Sequence, residues 1–344
     1  MRFFDTHCDT AMRVLDGELD FSTGKGGHIG LPQLVEAGSC AQVFACFVLS
    51  EQHPNHERER AEAMIKAVYS MAEGSDGTLR VVTTSSELRS ACDGGDPIAA
   101  IIGLEGADPL EGRAENLRRF YELGVRDIIP AWQDNPFSGT AFGSNTPLTD
   151  EGRKLIELAE ELQVMVDVSH LSDSAFKDVC EMTARPFIAS HSNCRALCPT
   201  LRNLTDEMIR TLSDHGGVMG INLSPSFLAP DYHVQTASIW ERSRDPDLSQ
   251  EERDELRAEV AAIPRPSIDW VVRHVLHAID VGGEDVIGLG GDLDGITIPP
   301  AGIETIADYA KIPDLLLAAG LNTRQVEKVC YRNFVRVFTE VLAD

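Results

Sequence analysis

Asp5-Thr-His-Cys-Asp-Thr10, entered directly from the apolar pair Phe3 and Phe4, sets His7 and Asp9 two residues apart. In an extended strand, residues i and i+2 point to one face with about 7 Å between their Cα atoms. An imidazole and a carboxylate placed this way can grip one divalent cation, since both are ordinary zinc ligands. The same two residues also make a plain hydrogen-bonded polar pair at a strand end. What favours the metal is that later strand ends each deliver a further ligand-type or acid-base residue.

Working outward, strand-like and helix-like segments alternate almost without break. Short β-branched or apolar runs fall at 1–7, 41–49, 98–104, 125–131, 163–169, 186–190, 217–222 and 286–291. Helical patterns lie near 56–73, 112–123, 150–162, 173–183, 205–214, 267–281 and 304–319. A last one at 323–342 sets Val326, Cys330, Phe334, Val337, Phe338 and Val341 on one face, a 3.6-residue period. Thr205-Asp-Glu opens one helix with a capping hydroxyl and first-turn acids. Strands alternating with helices in this way predict an α/β fold, a parallel sheet closed into a (β/α)₈ TIM barrel.

Two intervals are too long for a plain unit. Residues 50–97 hold a loop from Glu51 to Glu59 and an extra helix, and 223–266 hold a charged helix opened by the capping box Ser249-Gln-Glu-Glu252. Both follow strands, so both are expected as insertions on the C-terminal rim, where they could cover a site. One domain spanning 1–344 is the simplest division of a chain that is 43% apolar.

The formal net charge is −25, from 55 acidic against 30 basic residues. Such a surface repels nucleic acid and anionic membranes, so neither is expected as a partner. No apolar run reaches the ~18 residues of a membrane-spanning helix. Met1-Arg-Phe-Phe reads as the start of a strand, so no signal peptide is expected. The eight cysteines form no Cys-x-x-Cys pair. Cys8, Cys40, Cys46 and Cys180 are expected as small buried residues. Cys194 and Cys198 share a loop and could oxidise, but free thiols in a reducing cytoplasm are the simpler expectation.

Barrel enzymes build their sites where strands meet the loops that follow. Read in order, those ends give His7 and Asp9, then Glu105 (Ile101-Ile-Gly-Leu-Glu-Gly106), Trp132 and His170 (Val166-Asp-Val-Ser-His170). His191 (Ala189-Ser-His-Ser192) and Asp292 (Gly290-Gly-Asp-Leu-Asp-Gly295) complete the series. His170 and His191 lie about one repeat apart, so adjacent strands should project them. Singly, each has a plain explanation: Glu105 could cap a helix, either histidine could be a hydrogen-bonded rim residue, and Asp292 and Asp294 could form turns. The recurrence at one end of so many strands argues against coincidence. His53 and His56 lie in a polar loop, and His274 and His277 share a face of an outer helix. Asp292-Leu-Asp-Gly295 departs from a calcium loop, with Ile296 and Ile303 at ligand positions. Gly288-Leu-Gly-Gly lacks the dinucleotide spacing.

Together these motifs resemble the membrane (renal) dipeptidase family of zinc peptidases, within the amidohydrolase superfamily of metal-dependent barrels. The resemblance rests on His-x-Asp, Gly-Leu-Glu-Gly, Val-Ser-His-Leu-Ser, Ser-His-Ser, Arg-Asn and Gly-Gly-Asp-Leu-Asp-Gly, and covers nearly the whole chain in order and spacing. It implies two Zn²⁺ per chain, with His7 and Asp9 on one, His170 and His191 on the other, and Glu105 bridging both. It also implies that Arg202, in Leu201-Arg-Asn203, binds the C-terminal carboxylate of a small peptide substrate, and that Asp292 is the acid-base residue. The family commonly forms homodimers and tolerates a D-residue on the C-terminal side.

The chemistry agrees. Asp9, Glu105 and a bridging hydroxide offset three of the four charges of two zinc ions. A metal lowers the pKa of bound water from 15.7 towards about 7, which yields the nucleophile. Asp292 can then pass the water's proton to the leaving amine, and a guanidinium suits a carboxylate as a planar two-pronged donor. One departure stands out: where the family carries a substrate-contacting histidine at the end of the fourth strand, this chain has Trp132. An indole offers one weak N–H and no positive charge, and loss of an oxyanion donor costs about 3–4 kcal/mol. Either Gln133, Asn135 or the indole substitutes, or the substrate is not the standard dipeptide. The alternatives are a related hydrolase acting on another amide, an ester or a lactone, and a barrel that binds without turnover. Binding alone has no need of Asp292 as a proton shuttle.

Overall fold

Phe3 and Phe4 open strand β1 (Phe3–Cys8), and all six of its residues are buried. Burial on both faces is what a parallel strand shows when helices cover its sheet. In the computed structural model, which describes residues 1–94, 97–243, 245 and 248–344, the same holds for β4 (Ile98–Glu105) and β5 (Val125–Ile129). The remaining strands are β2 (Ser39–Phe47), β3 (Leu79–Val81), β6 (Met165–Val166), β7 (Ile188–Ala189), β8 (Val218–Ile221) and β9 (Ile287–Leu289).

Eight of them pair side by side in the order β6-β5-β4-β2-β1-β9-β8-β7, and the pairings are parallel. The two ends of this row meet where Val168 N–H donates to the Ile188 carbonyl at 2.8 Å, so the sheet curls into a nearly closed (β/α)₈ barrel. The expected strand positions hold, although β6 and β7 shrink to two residues each. At these two strands the backbone leaves the ladder early, and side-chain bonds take over: Asp167 accepts from Ser169 N–H and Ser190 N–H at 2.9 and 3.0 Å.

The outer helices follow their sequence signals. Thr205 caps Asp206–Asp214 by accepting from Met208 N–H, and Ser249 with Glu252 closes the capping box of Gln250–Ala262. At the C-terminus the chain passes from Thr323–Glu327 through a π-turn at Lys328–Arg332 into Asn333–Val341. The apolar face expected there is buried throughout. Phe334 and Phe338 bring their rings to 5.8 and 5.3 Å from Phe4, closing the barrel floor beneath β1.

The insertions fall differently from expectation. The helix Glu57–Glu73 returns the chain from β2, but then β3 pairs with Ile98–Ala100, the end of β4 opposite Glu105. The helix Ser85–Gly94 packs there against the C-terminal helix. The second half of residues 50–97 therefore lies at the foot of the barrel, not on its C-terminal rim, because Leu79-Arg-Val81 forms a short strand beside Ile98–Ala100. The other insertion behaves as expected. Helices Pro230–Ser243 and Gln250–Ala262 follow β8 as a hairpin with an apolar cluster of its own, built on Tyr232, Ile239, Leu256 and Val260. No described helix is long and apolar enough to cross a membrane. The eight cysteines are free thiols; Cys194 and Cys198 donate to the carbonyls of His274 and Ser226.

Phe334 lies over the backbone of Gly288, so its truncation opens a cavity between the last helix and β9. Phe334→Ala is expected to lower unfolding stability by about 3–5 kcal/mol. The readout is a reduced urea midpoint at unchanged slope.

Candidate metal centre

The backbone fixes the mouth of the barrel before any side chain is considered. Asp292 N–H donates to the His7 carbonyl at 3.1 Å and Asp9 N–H to the Leu293 carbonyl at 3.0 Å, which stitches the end of β1 to the loop after β9. Glu105 is the last residue of β4 and stands in register with Phe47 on β2. His170 follows β6 with φ +70°, and Asp292 and Asp294 have φ +58° and +69°. Such left-handed backbone in a non-glycine residue costs on the order of 1–3 kcal/mol and persists only where the surroundings enforce it. At His170 the enforcing bond is Ala141 N–H to its carbonyl, 2.9 Å; at Asp294 it is a carboxylate that accepts from Thr10 Oγ1 and His28 N–H, both at 2.6 Å.

Within this frame five side chains converge. Glu105 Oε2 lies 3.1 Å from His7 Nε2, while Oε1 lies 2.9 Å from His170 Nε2 and 3.6 Å from His191 Nε2. Asp9 Oδ2 is 3.7 Å from His7 Nε2. The two oxygens of one carboxylate thus face two different groups of ligand atoms. Atoms of His7, Glu105 and His191 fit within 4.8 Å of one another, as do those of His7, Asp9 and Asp292. His170 Nε2 and His191 Nε2 are only 2.9 Å apart. Ser190 Oγ meets His191 Nδ1 at 2.7 Å, leaving Nε2 to the cluster.

The electrostatics suit a cation. Burial, with Arg202 nearby, pushes His170 down to about 4; burial and His7 push His191 well below the ordinary range, so both imidazoles are neutral. Burial opposes charge on Glu105, but His7 and His170 hold its carboxyl well below the usual range. Burial likewise opposes a cationic His7, yet Glu105 and Asp9 raise it well above its usual value. Two neutral imidazole nitrogens in near contact beside an ionised carboxylate, with Asp9 Oδ1 buried and unpartnered, form a donor set that fits divalent metal.

Around this cluster stand the other residues picked out from the sequence. Asp292 accepts from Asn222 Nδ2 at 2.9 Å, and burial pushes it up to about 7. Arg202 is 3% exposed; its Nη1 donates to Ser192 Oγ at 2.8 Å, while Nε and Nη2 are buried without a partner. Nε and Nη2 form one edge of the guanidinium, the two-pronged edge that a carboxylate takes. Trp132 sits at the rim, its ring 6.0 Å from His170 and 4.8 Å from Phe47. Asn135 is no substitute for a histidine there: its amide donates to Asp108 and the Pro130 carbonyl and its oxygen accepts from Phe137 and Ser138 N–H. His274 is buried in a structural role, bonding Cys194 N–H and the Leu228 carbonyl, while His56 is exposed as expected.

Sequence reasoning missed Asn222 and Asp5. Asn222 directly follows β8, so the strand-end rule applied there would have found it. Asp5 gave no signal, being one more polar residue in β1. Its Oδ1 accepts from His7 N–H and Gln42 Nε2, and its Oδ2 from Gly291 N–H and Tyr309 Oη, at 2.6 to 3.0 Å.

A parallel barrel with ligand-type side chains gathered at its C-terminal mouth has the build of a metal-dependent barrel enzyme. The family model for membrane dipeptidase (peptidase family M19) matches residues 1–343, and the chain belongs to that family as a metal-dependent dipeptidase acting on peptide substrates. It is 32% identical to an uncharacterised protein in the pqqA 5′ region of Klebsiella pneumoniae, over 78% of this chain and 90% of that one. The crystal structure of the dipeptidase AC, a metallopeptidase of family M19, matches with a TM-score of 0.84 at 27% identity, covering 100% of this chain and 99% of that one. A metallopeptidase from Rhodobacter sphaeroides, liganded with a phosphinate mimic of the dipeptide L-Ala-D-Ala, matches with a TM-score of 0.83 at 27% identity, covering 99% of each.

A Cβ on Gly295 would lie 2.1 Å from Asp9 Oδ2 and 2.5 Å from Asp292 Oδ1. Gly295→Ala must therefore displace both carboxylates. Misplacement of about 1 Å can cost 10²-fold in rate. Steady-state kcat/KM on a dipeptide is expected to fall by about that factor.

Proposed function

We propose that this dipeptidase works with two zinc ions, His7 and Asp9 holding one, His170 and His191 the other, and Glu105 joining them. The observation that carries the reading is the split of Glu105, one oxygen towards His7 and the other towards His170 and His191. When bound, such ions supply Lewis acidity that polarises the amide carbonyl and lowers the pKa of water from 15.7 towards about 7, furnishing a hydroxide nucleophile.

The chain's own residues do the rest. Arg202 takes the substrate's C-terminal carboxylate on its open Nε–Nη2 edge, and Ser192 holds the opposite side of the guanidinium in place. Asp292 accepts the proton released by the attacking water and delivers it to the departing amine; Asn222 aims its carboxylate. Burial raises the Asp292 carboxyl above the usual carboxylate range, the direction that favours taking up a proton. Trp132 forms a wall beside His170 and contributes no charged donor. The likeness to the Rhodobacter sphaeroides enzyme liganded with an L-Ala-D-Ala mimic supports substrates that include dipeptides with a D-residue at the C-terminus.

Metal analysis of zinc-reconstituted protein is expected to return two ions per chain, falling to about one in His170→Ala/His191→Ala; a wild-type value of one would sink the two-ion reading. Asp292→Asn is expected to keep its zinc and lose about 10²- to 10⁴-fold in kcat. Arg202→Ala removes charge-assisted bonds worth about 1.5–3 kcal/mol. It should lower kcat/KM about 10- to 100-fold for free dipeptides and much less for their C-terminal amides. Equal losses on both would refute Arg202 as the carboxylate anchor.

A further inference from the structure

Two aromatic pairs border the stretch between the ligand cluster and Arg202, and nothing in the hydrolytic machinery requires them. Phe47 and Trp132 lie 4.8 Å apart, with Trp132 6.0 Å from His170. Phe142 and Phe227 lie 6.1 Å apart, and the Arg202 guanidinium carbon is 5.9 Å from the Phe227 ring. The pairs come from the end of β2, the loops after β5 and the segment after β8, so they meet only in the folded barrel. The backbone links them, since Ala141, next to Phe142, donates to the His170 carbonyl. Trp132 is 38% and Phe142 47% exposed, so wide, rigid apolar faces are left open to solvent at the mouth.

We infer that these four rings select dipeptides whose C-terminal residue carries a bulky apolar side chain, aliphatic or aromatic. The inference rests on the assignment of Arg202 as carboxylate anchor and of the cluster as the site of amide cleavage. In a dipeptide, the residue between the scissile carbonyl and the free carboxylate is the C-terminal one. Its Cα must therefore lie between the cluster and Arg202, the stretch that the rings border. Aromatic faces gain from burying methylene or ring surface. A carboxylate side chain finds no donor among the four rings and would lose hydration against them. A methylene in an apolar pocket is worth about 10- to 200-fold in specificity.

The test fixes L-Ala at the N-terminus and varies the second residue through Gly, Ala, Leu, Phe, Asp and Lys, in D and L forms where they exist, with zinc-loaded protein. Leu or Phe is expected to exceed Gly in kcat/KM by about 10- to 100-fold in the accepted configuration, with Asp lowest. The Phe:Gly ratio should drop at least tenfold in Trp132→Ala and in Phe227→Ala. Phe142→Ala replaces Phe227→Ala if that protein fails to fold. Cleavage with a preference for Gly, Asp or Lys, or a Phe:Gly ratio unmoved in the variants, overturns this inference and leaves the dipeptidase site standing. No cleavage of any peptide in the panel overturns both.

Discussion

Glu105 keeps an ionised carboxylate at 4% exposure, and the mouth of the barrel is built around that fact. A buried charge costs several kcal/mol unless it is paired and fully bonded. Glu105 meets the requirement with three imidazoles delivered by three other strand ends, so its position, their tautomers and the register of β4 against β2 depend on one another. The arrangement is also poised for cations: His170 and His191 bring their Nε2 atoms to 2.9 Å beside that carboxylate, a donor set that one divalent ion can share.

Acidic groups beneath this layer are handled in two ways. Asp5 has four donors, and through them it ties β1, β2, the Gly291 loop and Tyr309 into one unit under His7 and Asp292. Asp127 and Asp167 have an unbonded buried oxygen each. Burial, with Asp167 beside it, drives Asp127 well above the ordinary carboxylate range, so a proton takes the place of a counter-charge. Full bonding holds geometry, while protonation only avoids a penalty. Asp5 and Asp167 therefore reach the ligand-type residues through the donors they accept from, Asp167 by holding Ser169 and Ser190 N–H beside His170 and His191.

The rim shows a second division of labour. Left-handed backbone at His170, Asp292 and Asp294 turns side chains into the mouth that a regular strand end would point elsewhere, and side-chain or loop bonds hold each turn. Outside that ring the surface changes from acid to aromatic, with Trp132 and Phe142 open to solvent. The ligand-type groups and the aromatic walls thus come from different strands: the first from the ends of β1, β4, β6, β7 and β9, the second from the end of β2 and the segments after β5 and β8.

How much of this was legible beforehand depended on range. Alternation of apolar runs placed β1, β4 and β8, and a 3.6-residue period placed the last helix, because burial of a strand or a helix face is a local property of consecutive residues. Strand-end position also picked out His7, Asp9, Glu105, His170, His191 and Asp292, since parallel strands with helical returns must all end at one mouth. The sequence by itself therefore determined the barrel and the identity of the ligand-type residues. It did not determine that β3 pairs at the foot of β4, that Asn222 holds Asp292, or that Arg202 leaves its Nε–Nη2 edge unbonded. Those depend on partners such as His7 and Glu105, 98 residues apart, whose separation in space is set by closure of the whole sheet and has no trace in local pattern.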